Sequence, residues 1–427
     1  MKQRIAIIGG GVAGLTAAYL LHRRYDVALF ERQSRLGGNA YTLHTDDGHS
    51  VDIAVAAFGR AGYKQFYRLL DELGVDTCAC AGSLMSFHDL DARDGLYMTP
   101  AWSGLRRQRF DILRPHKLGT FFELARRISD AVRRERAGEL DGMTVANALD
   151  RVGALSPSAR AVALSVFCLL SSMSGAEVLA APASFFFRKI AKHNDVVSPR
   201  ALYSVRAVVG RTQRYVAALA APFLDRITLN ASIAKVLRAR DGVTITFADG
   251  QTQGFDHVVF ACNADQALRL LAAPTPLERE LLGAWRYKDG RVVVHRDHSA
   301  FPADELIQAY TFLYRHLRDG GFETSVNGSL RHEPGVAKTC DLISSQHPNF
   351  PIDPTRIVLD TVLRTPIFDF AGCATQRRLP MLNGRERSYY CGSHFGFGLH
   401  EDAVRSAIEV AAALGVRESW SEWVRAA

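Results

Sequence analysis

Four glycines and one carboxylate near the amino terminus are spaced to hold a diphosphate and a ribose. Gly9, Gly11 and Gly14 recur as G-x-G-x-x-G within Gly9-Gly10-Gly11-Val12-Ala13-Gly14, and Glu31 follows ~20 residues later. Gly9 permits a tight turn, Gly11 lets backbone come close to a pyrophosphate, and Gly14 lets a helix pack on a strand. Val12 and Ala13 open that helix, whose free N–H groups and partial positive charge attract an anion. Glu31, with Arg32 beside it, can accept from both hydroxyls of an adenosine ribose, and its charge repels a 2′-phosphate. This chemistry serves a dinucleotide that lacks the extra phosphate.

The neighbouring residues have the patterns needed to place these groups. Ile5-Ala6-Ile7-Ile8 is an apolar run too short for a helix and bounded by glycines, so it predicts a buried strand. Leu15-Thr16-Ala17-Ala18-Tyr19-Leu20-Leu21 reads as an amphipathic helix, and Val27-Ala28-Leu29-Phe30 as a second strand ending on the acid. Strand, glycines, helix, strand and acid in that order are far more specific than the glycines alone.

The next residues separate two dinucleotides. Arg35-Leu36-Gly37-Gly38-Asn39 adds a second glycine pair. With Glu31 it resembles the E-x-x-x-R-x-G-G segment of the flavin-containing amine oxidase and phytoene desaturase superfamily. In that superfamily the segment passes the FAD pyrophosphate and reaches toward the isoalloxazine. The resemblance therefore implies FAD rather than NAD, and adds Gly37, Gly38 and Asn39 to the cofactor residues. It also implies an α/β fold: a Rossmann-like FAD-binding domain with an interleaved α+β substrate-binding domain, as in amine oxidase and glutathione-reductase-like flavoproteins. The expected segments are 1–75, 225–285 and 385–427 for the cofactor, and 76–224 and 286–384 for the substrate.

The resemblance returns near the other end. Tyr389-Tyr390-Cys391-Gly392 predicts a short strand, followed by a loop and a helix over 403–413. The stretch CGSHFGFGLHEDAVRSA is similar to the C-G-A-x-x-G-[YF]-G-F-H-E-D-G-x-x-S-G ending of a branch described as predicted NAD/FAD-binding proteins. Pro366-Ile367-Phe368-Asp369 and Ala374-Thr375-Gln376 fit the H-P-x-F-D and A-x-Q of that branch. By this resemblance Gly392, Leu399, Asp402 and Ala403 meet the flavin at a helix N-terminus, which stabilises negative charge at N1/O2. Ile233 would offer backbone to the adenine, and His394 and Glu401 would lie nearest the flavin. Two departures bear on substrate. Leu399 replaces an aromatic wall that many amine oxidases place there, and the strand over 291–295 lacks the lysine they often hold near N5.

The 427-residue chain is 48% hydrophobic and 22% charged, a globular composition long enough for two domains with sizeable cores. No run of ~18 apolar residues occurs, so no membrane span is expected. The N-terminus enters the first strand at once, leaving no room for a signal peptide, so the expected location is the cytoplasm. Seven scattered cysteines without a C-x-x-C support neither a disulfide framework nor zinc. His295 and His298 lack a third ligand at metal spacing, and no metal is expected. The net charge of +8 comes without an aromatic-interleaved basic motif, which excludes nucleic acid as a partner.

Between the two ends, Asp46-Asp47-Gly48-His49 predicts a hairpin turn. Phe66, Leu69, Leu70 and Leu73 fall at helical spacing before Gly74. Residues 227–230, 233–237, 243–247 and 255–262 predict strands of the returning cofactor domain. Phe121, Phe122, Leu124, Ile128 and Val132 form an apolar stripe beside arginines, and Phe185-Phe186-Phe187 follow a small-residue segment. Both suit core packing, an apolar substrate tunnel or a peripheral membrane contact.

The leading function is an FAD-dependent oxidoreductase of desaturase or oxidase type. It would remove hydride from an apolar, lipid-like or isoprenoid-like small molecule to flavin N5. His394, His400 and His295 are the candidate bases, since a neutral histidine suits proton abstraction at about pH 7. One alternative is a flavin amine oxidase, against which the missing aromatic cage speaks. The other is a redox-neutral isomerase, which consumes no electron acceptor. No motif encodes the acceptor.

Overall fold

The computed structural model describes residues 2–54, 57–80, 85–92, 95–98, 114–192, 205–303, 307–318 and 320–416. At its centre lies a five-stranded sheet drawn from distant parts of the chain. Arg4–Ile8 takes the middle, with Asp26–Phe30 on one side and His257–Phe260 on the other. Ile227–Thr228 and Ser388–Tyr390 form the edges, and every pairing is parallel. Ile5, Ala6 and Ile7 are fully buried, as an apolar run without alternation requires when both faces of a sheet are covered.

The helix Val12–Leu21 buries nine of its ten residues, so the amphipathic face expected of it does not exist. It lies between the sheet and the helices Thr212–Ala220 and His400–Ala413, all packed in one apolar cluster. A helix covered on every side has no use for a polar stripe. The last helix also starts one turn before the expected 403, at His400.

The run over 255–262, expected as one strand, serves two sheets. Thr252–Phe255 closes an antiparallel sheet with Val243–Phe247 and Ile233–Arg238. The chain then turns at Asp256, whose N–H donates to Arg4 O at 2.9 Å and whose Oδ2 accepts from Arg4 N at 2.7 Å. His257–Phe260 continues into the central sheet. The expected hairpin pairs Thr42–His44 with Ser50–Asp52, and Phe66 lies in the helix Lys64–Glu72.

A seven-stranded sheet stands beside this unit. Its order is Ile357–Ile367, Arg286–His295, Ile343–Gln346, Phe322–Ser329, Tyr310–His316, Met85–Asp89 and Gly95–Met98. Helices from 115–192 pack into the same apolar cluster as this sheet. Phe185, Phe186 and Phe187 lie there as core: Phe185 stacks on Phe368 at 4.2 Å, and Phe186 on Phe167 at 4.9 Å. None of the three lines the large cavity described below. In Pro115–Arg136, by contrast, Ile128 is buried while Phe122 is 74% exposed. Among the described residues no helix is long and apolar enough to cross a membrane.

Candidate cofactor and active site

The glycines divide their work as the spacing predicts. Gly9 has φ +113°, and a Cβ there would lie 2.6 Å from Ala261 O. A Cβ on Gly14 would lie 1.9 Å from Gly9 O, so this residue lets the helix sit on the strand. Gly11 differs: a Cβ there meets nothing within 4 Å, because it faces open space. The second glycine pair comes alongside. Gly37 N–H donates to Gly10 O at 2.8 Å, Gly37 bridges to Gly11, and a Cβ on Gly38 would stand 3.3 Å from Gly11 Cα. No side chain caps the helix after Gly11, so its first amides are left for an anion.

Glu31 is buried at the end of its strand. Its Oε2 accepts from Gly10 N at 2.6 Å and its Oε1 from Gln33 N at 2.8 Å. Each carboxylate oxygen has a further lone pair. Asn39 donates to Arg364 O at 3.1 Å, and the Arg364 guanidinium holds Asp265 through two bonds. The cofactor segment is thus tied to the seven-stranded sheet.

A cavity of about 670 Å³ joins these groups to the C-terminal loop. One end is lined by Gly9, Gly11, Val12, Ala13, Glu31, Arg32, Gly37, Gly38, Asn39 and Ile233, the other by Gly392, His394, Leu399, His400 and Ala403. This volume falls within the ~300–1,000 Å³ usual for small-molecule and cofactor sites.

Four expected site residues lie elsewhere. Gly14 is used in packing, as above. Asp402 is 2% exposed, and its Oδ2 accepts from Phe397 N at 2.8 Å and Leu399 N at 3.1 Å, so it folds back to shape the loop. Glu401 accepts from Gln65 N and Phe66 N at 3.1 and 2.9 Å, serving the start of another helix. His295 is fully buried on its strand, with Nε2 2.8 Å from Ser345 Oγ and its ring near Phe301 and Phe350. Its side chain takes the face of the sheet turned away from the cavity, which removes it as a base.

The other two histidines converge on the cavity. His394 packs against Trp285 at 5.5 Å, and burial pushes it down to about 4. The His400 ring meets Phe58 and Phe66, its Nε2 lies 2.7 Å from Tyr215 Oη, and burial again pushes it down to about 4. Both are neutral at neutral pH. Burial holds the Tyr215 hydroxyl well above its usual range, so that residue keeps its proton.

The loop carrying them is held by two residues far away in sequence. Gln376 Nε2 donates to His394 O at 2.9 Å and to Gly396 O at 2.5 Å. Lys189 is 1% exposed and donates to Phe397 O at 2.8 Å and to Leu170 O. Burial pushes this ammonium down to about 7. Sequence reasoning missed Lys189, and also Gln346, His347 and Arg364, which line the cavity from the large sheet.

A family model described as flavin containing amine oxidoreductase matches residues 12–294. Amine oxidase [flavin-containing] A of Canis lupus familiaris is 38% identical over 74 residues, 17% of this chain and 14% of that protein. Amine oxidase [flavin-containing] B of Homo sapiens is 35% identical over 77 residues, 18% of this chain and 15% of that protein. The match therefore spans about a seventh of the length of these relatives. Solved structures match nearly end to end. A putrescine oxidase double mutant has a TM-score of 0.68 at 15% identity, covering 97% of this chain and 99% of its own. A CLA-producing fatty acid isomerase from P. acnes has 0.66 at 15%, covering 96% and 98%. Cyclohexylamine oxidase from Brevibacterium oxydans has 0.66 at 16%, covering 98% and 99%. At these identities the likeness establishes the fold.

Proposed function

Because this chain belongs to the flavin containing amine oxidoreductase family, whose cofactor is FAD, we propose that its large cavity binds FAD and oxidises an apolar small molecule there. The observation that carries this reading is a single cavity joining Glu31 and Gly11 to His394 and His400. The residues fit the group. Gly11 leaves open space where a diphosphate approaches, Glu31 keeps lone pairs for ribose hydroxyls, and Leu399 and Ala403 bring a helix N-terminus to the far end. In this reading 1–75, 225–285 and 385–427 carry the cofactor, and 76–224 and 286–384 the substrate.

When bound, FAD supplies a hydride acceptor at N5. The chain supplies orientation, an apolar surface and a base. Ala54, Val292 and Leu363 give the cavity an apolar patch among the polar side chains of Arg291, Gln346, His347 and Arg364, a surface that can hold the apolar part of a small molecule. With Nε2–H donated to Tyr215 Oη, His400 Nδ1 is the atom that takes a proton from the substrate; His394 is the second candidate. Leu399 lines the cavity, and by the resemblance it replaces an aromatic wall that many amine oxidases place there, which weighs against an amine.

Purified protein that is yellow and releases FAD on acid treatment is the first requirement. Anaerobic addition of an unsaturated lipid is then expected to bleach the flavin, and addition of simple amines is not. Bleaching by amines alone would replace the apolar substrate with an amine. Turnover without bleaching or acceptor consumption would replace oxidation with isomerisation. Glu31→Gln is expected to weaken FAD binding about tenfold to a hundredfold, because a charged acceptor is worth ~1.5–3 kcal/mol. Titration of the apoprotein with FAD reads this directly.

A further inference from the structure

A second cavity of about 50 Å³ lies beside the first, and Ala54 and Gln346 line both. Apolar side chains of its wall alternate with Asp52, Tyr310, Ser329, His332, Glu333, Ser344 and Gln346. These polar groups are not equivalent: Ser344 Oγ donates to Ile53 O at 2.5 Å and the His332 ring lies 3.0 Å from Ile307 O. Asp52 is saturated: its carboxylate accepts from Thr42 Oγ1 at 2.6 Å, from Thr212 Oγ1 at 2.7 Å and from Thr212 N at 3.1 Å. Ser329 is 3% exposed, and its Oγ has no hydrogen-bond partner. Among the described residues the Tyr310 hydroxyl and Glu333 Oε1 make no hydrogen bond, and both residues line the pocket. Glu333 Oε2 lies 3.4 Å from Arg211 Nη1 and 3.5 Å from Asp52 N.

One guanidinium therefore stands between two buried carboxylates, and its Nε is already given to Ser50 O at 2.7 Å. Burial raises the Asp52 carboxyl above its usual range as well, but its hydroxyl and amide donors and Arg211 work against that rise. Burial, reinforced by Asp52, pushes the Glu333 carboxyl up to about 8. The other titratable groups facing this space are Tyr310, which burial keeps protonated, and Cys80 and His332 on the pocket wall. The result is a carboxylic acid, a phenol and a serine hydroxyl turned into an apolar pocket.

We propose that this pocket is a recognition subsite for a neutral oxygen-bearing terminus, a hydroxyl or carbonyl, of the substrate oxidised in the adjoining cavity, with Glu333, Tyr310 and Ser329 as its hydrogen-bonding groups. The inference rests on the function proposed above. Size supports it, because about 50 Å³ admits a small polar terminus but not the body of a larger molecule. The body of the molecule must then extend past Ala54 and Gln346 into the cofactor cavity. A carboxylate terminus would meet two acids and a single arginine, and is rejected.

The test is calorimetric titration of the FAD-loaded protein with octanol, octanoate and octylamine at about pH 6.5 and about pH 9.5, values on either side of the Glu333 titration. Octanol is expected to bind about tenfold more tightly than octanoate at the lower pH, and to lose about tenfold at the higher, the worth of one good hydrogen bond. Glu333→Gln keeps a donor that does not titrate, so its octanol affinity stays level across the two conditions. Tyr310→Phe is expected to weaken octanol about fivefold, a fold-change of the size one neutral hydrogen bond gives, with unchanged thermal unfolding. Octanoate matching octanol, octylamine binding tightest, a pH-independent wild type or an unaffected Tyr310→Phe would each overturn the proposal. Flavin bleaching is read separately. Octanol that binds with this pattern but never bleaches the flavin leaves the subsite standing and removes only the redox reading.

Discussion

Replacing Gly11 by valine is expected to free the protein of flavin while leaving it folded, whereas valine at Gly14 attacks the fold itself. The two positions are three residues apart on one motif, yet their surroundings are opposite. At Gly11 a Cβ meets no protein atom within 4 Å, so a side chain there displaces only what occupies the cavity. Loss of close backbone approach to the diphosphate should weaken FAD at least ~100-fold, about 3 kcal/mol. At Gly14 a Cβ would stand 1.9 Å from Gly9 O and 3.1 Å from Ala261 Cβ. The first of these is backbone, tied to the sheet by the bond that Gly9 N–H donates to Phe30 O at 2.9 Å, and has little room to yield. Overpacking of this kind costs about 3 kcal/mol or more. Visible absorbance and thermal unfolding, measured on both variants, separate the two outcomes. A yellow Gly11→Val protein would contradict the cradle, and a Gly14→Val protein that melts like wild type would contradict the close contact.

The second large effect is acid lability set by two histidines. His394 and His400 are held down to about 4 by burial, while an unfolded histidine titrates near ~6.5. Above about pH 6.5 neither state carries the proton and the contribution of these residues to stability is complete. As pH falls from there toward 4, the unfolded chain takes up protons that the folded chain refuses, and stability drops. The loss approaches about 3 kcal/mol for His394, and less for His400, whose ring is partly open to the cavity. Urea midpoints of the apoprotein at about pH 7 and about pH 4.5 measure it. The double variant His394→Asn/His400→Asn should lose distinctly less between the two conditions. Equal losses in variant and wild type would mean that these rings are solvated.

Much of the cofactor end was legible in the sequence, because it depends on glycine spacing and on local order of elements. Gly9, Gly11, Glu31 and the pair Gly37-Gly38 lie on the cavity for reasons that operate within ~30 residues. The far end was harder. Gln346 and Arg364 reach the cavity from strands of the seven-stranded sheet, where a shift of one residue in register would turn each away, and His347 follows directly on the strand Ile343–Gln346. His295 illustrates the same limit from the other side: it has suitable chemistry on the wrong face of its strand. Asp402 and Glu401 sit among residues that do line the site, but the first turn of a helix points its side chains in several directions. Lys189 could not have been read from the strand over 291–295, because it arrives from the helix Ala183–Lys192. Phe185, Phe186 and Phe187 have equal hydrophobicity in a tunnel and in a core, and only packing decides.

The strand order of the central sheet sets a schedule for synthesis. Arg4–Ile8 is made well before its neighbour His257–Phe260, and the edge strand Ser388–Tyr390 later still. At ~5–20 residues per second the interval from first strand to last is about 20–80 s. Until His257–Phe260 is made, the run Ile5-Ala6-Ile7-Ile8 has an open edge of unpaired amides and carbonyls, the kind of surface that recruits other chains. His400, Leu399 and Ala403 come after even that last strand. The nascent protein therefore carries half a nucleotide site until residues 392–403 have been made, and only then can a binding-competent cavity close.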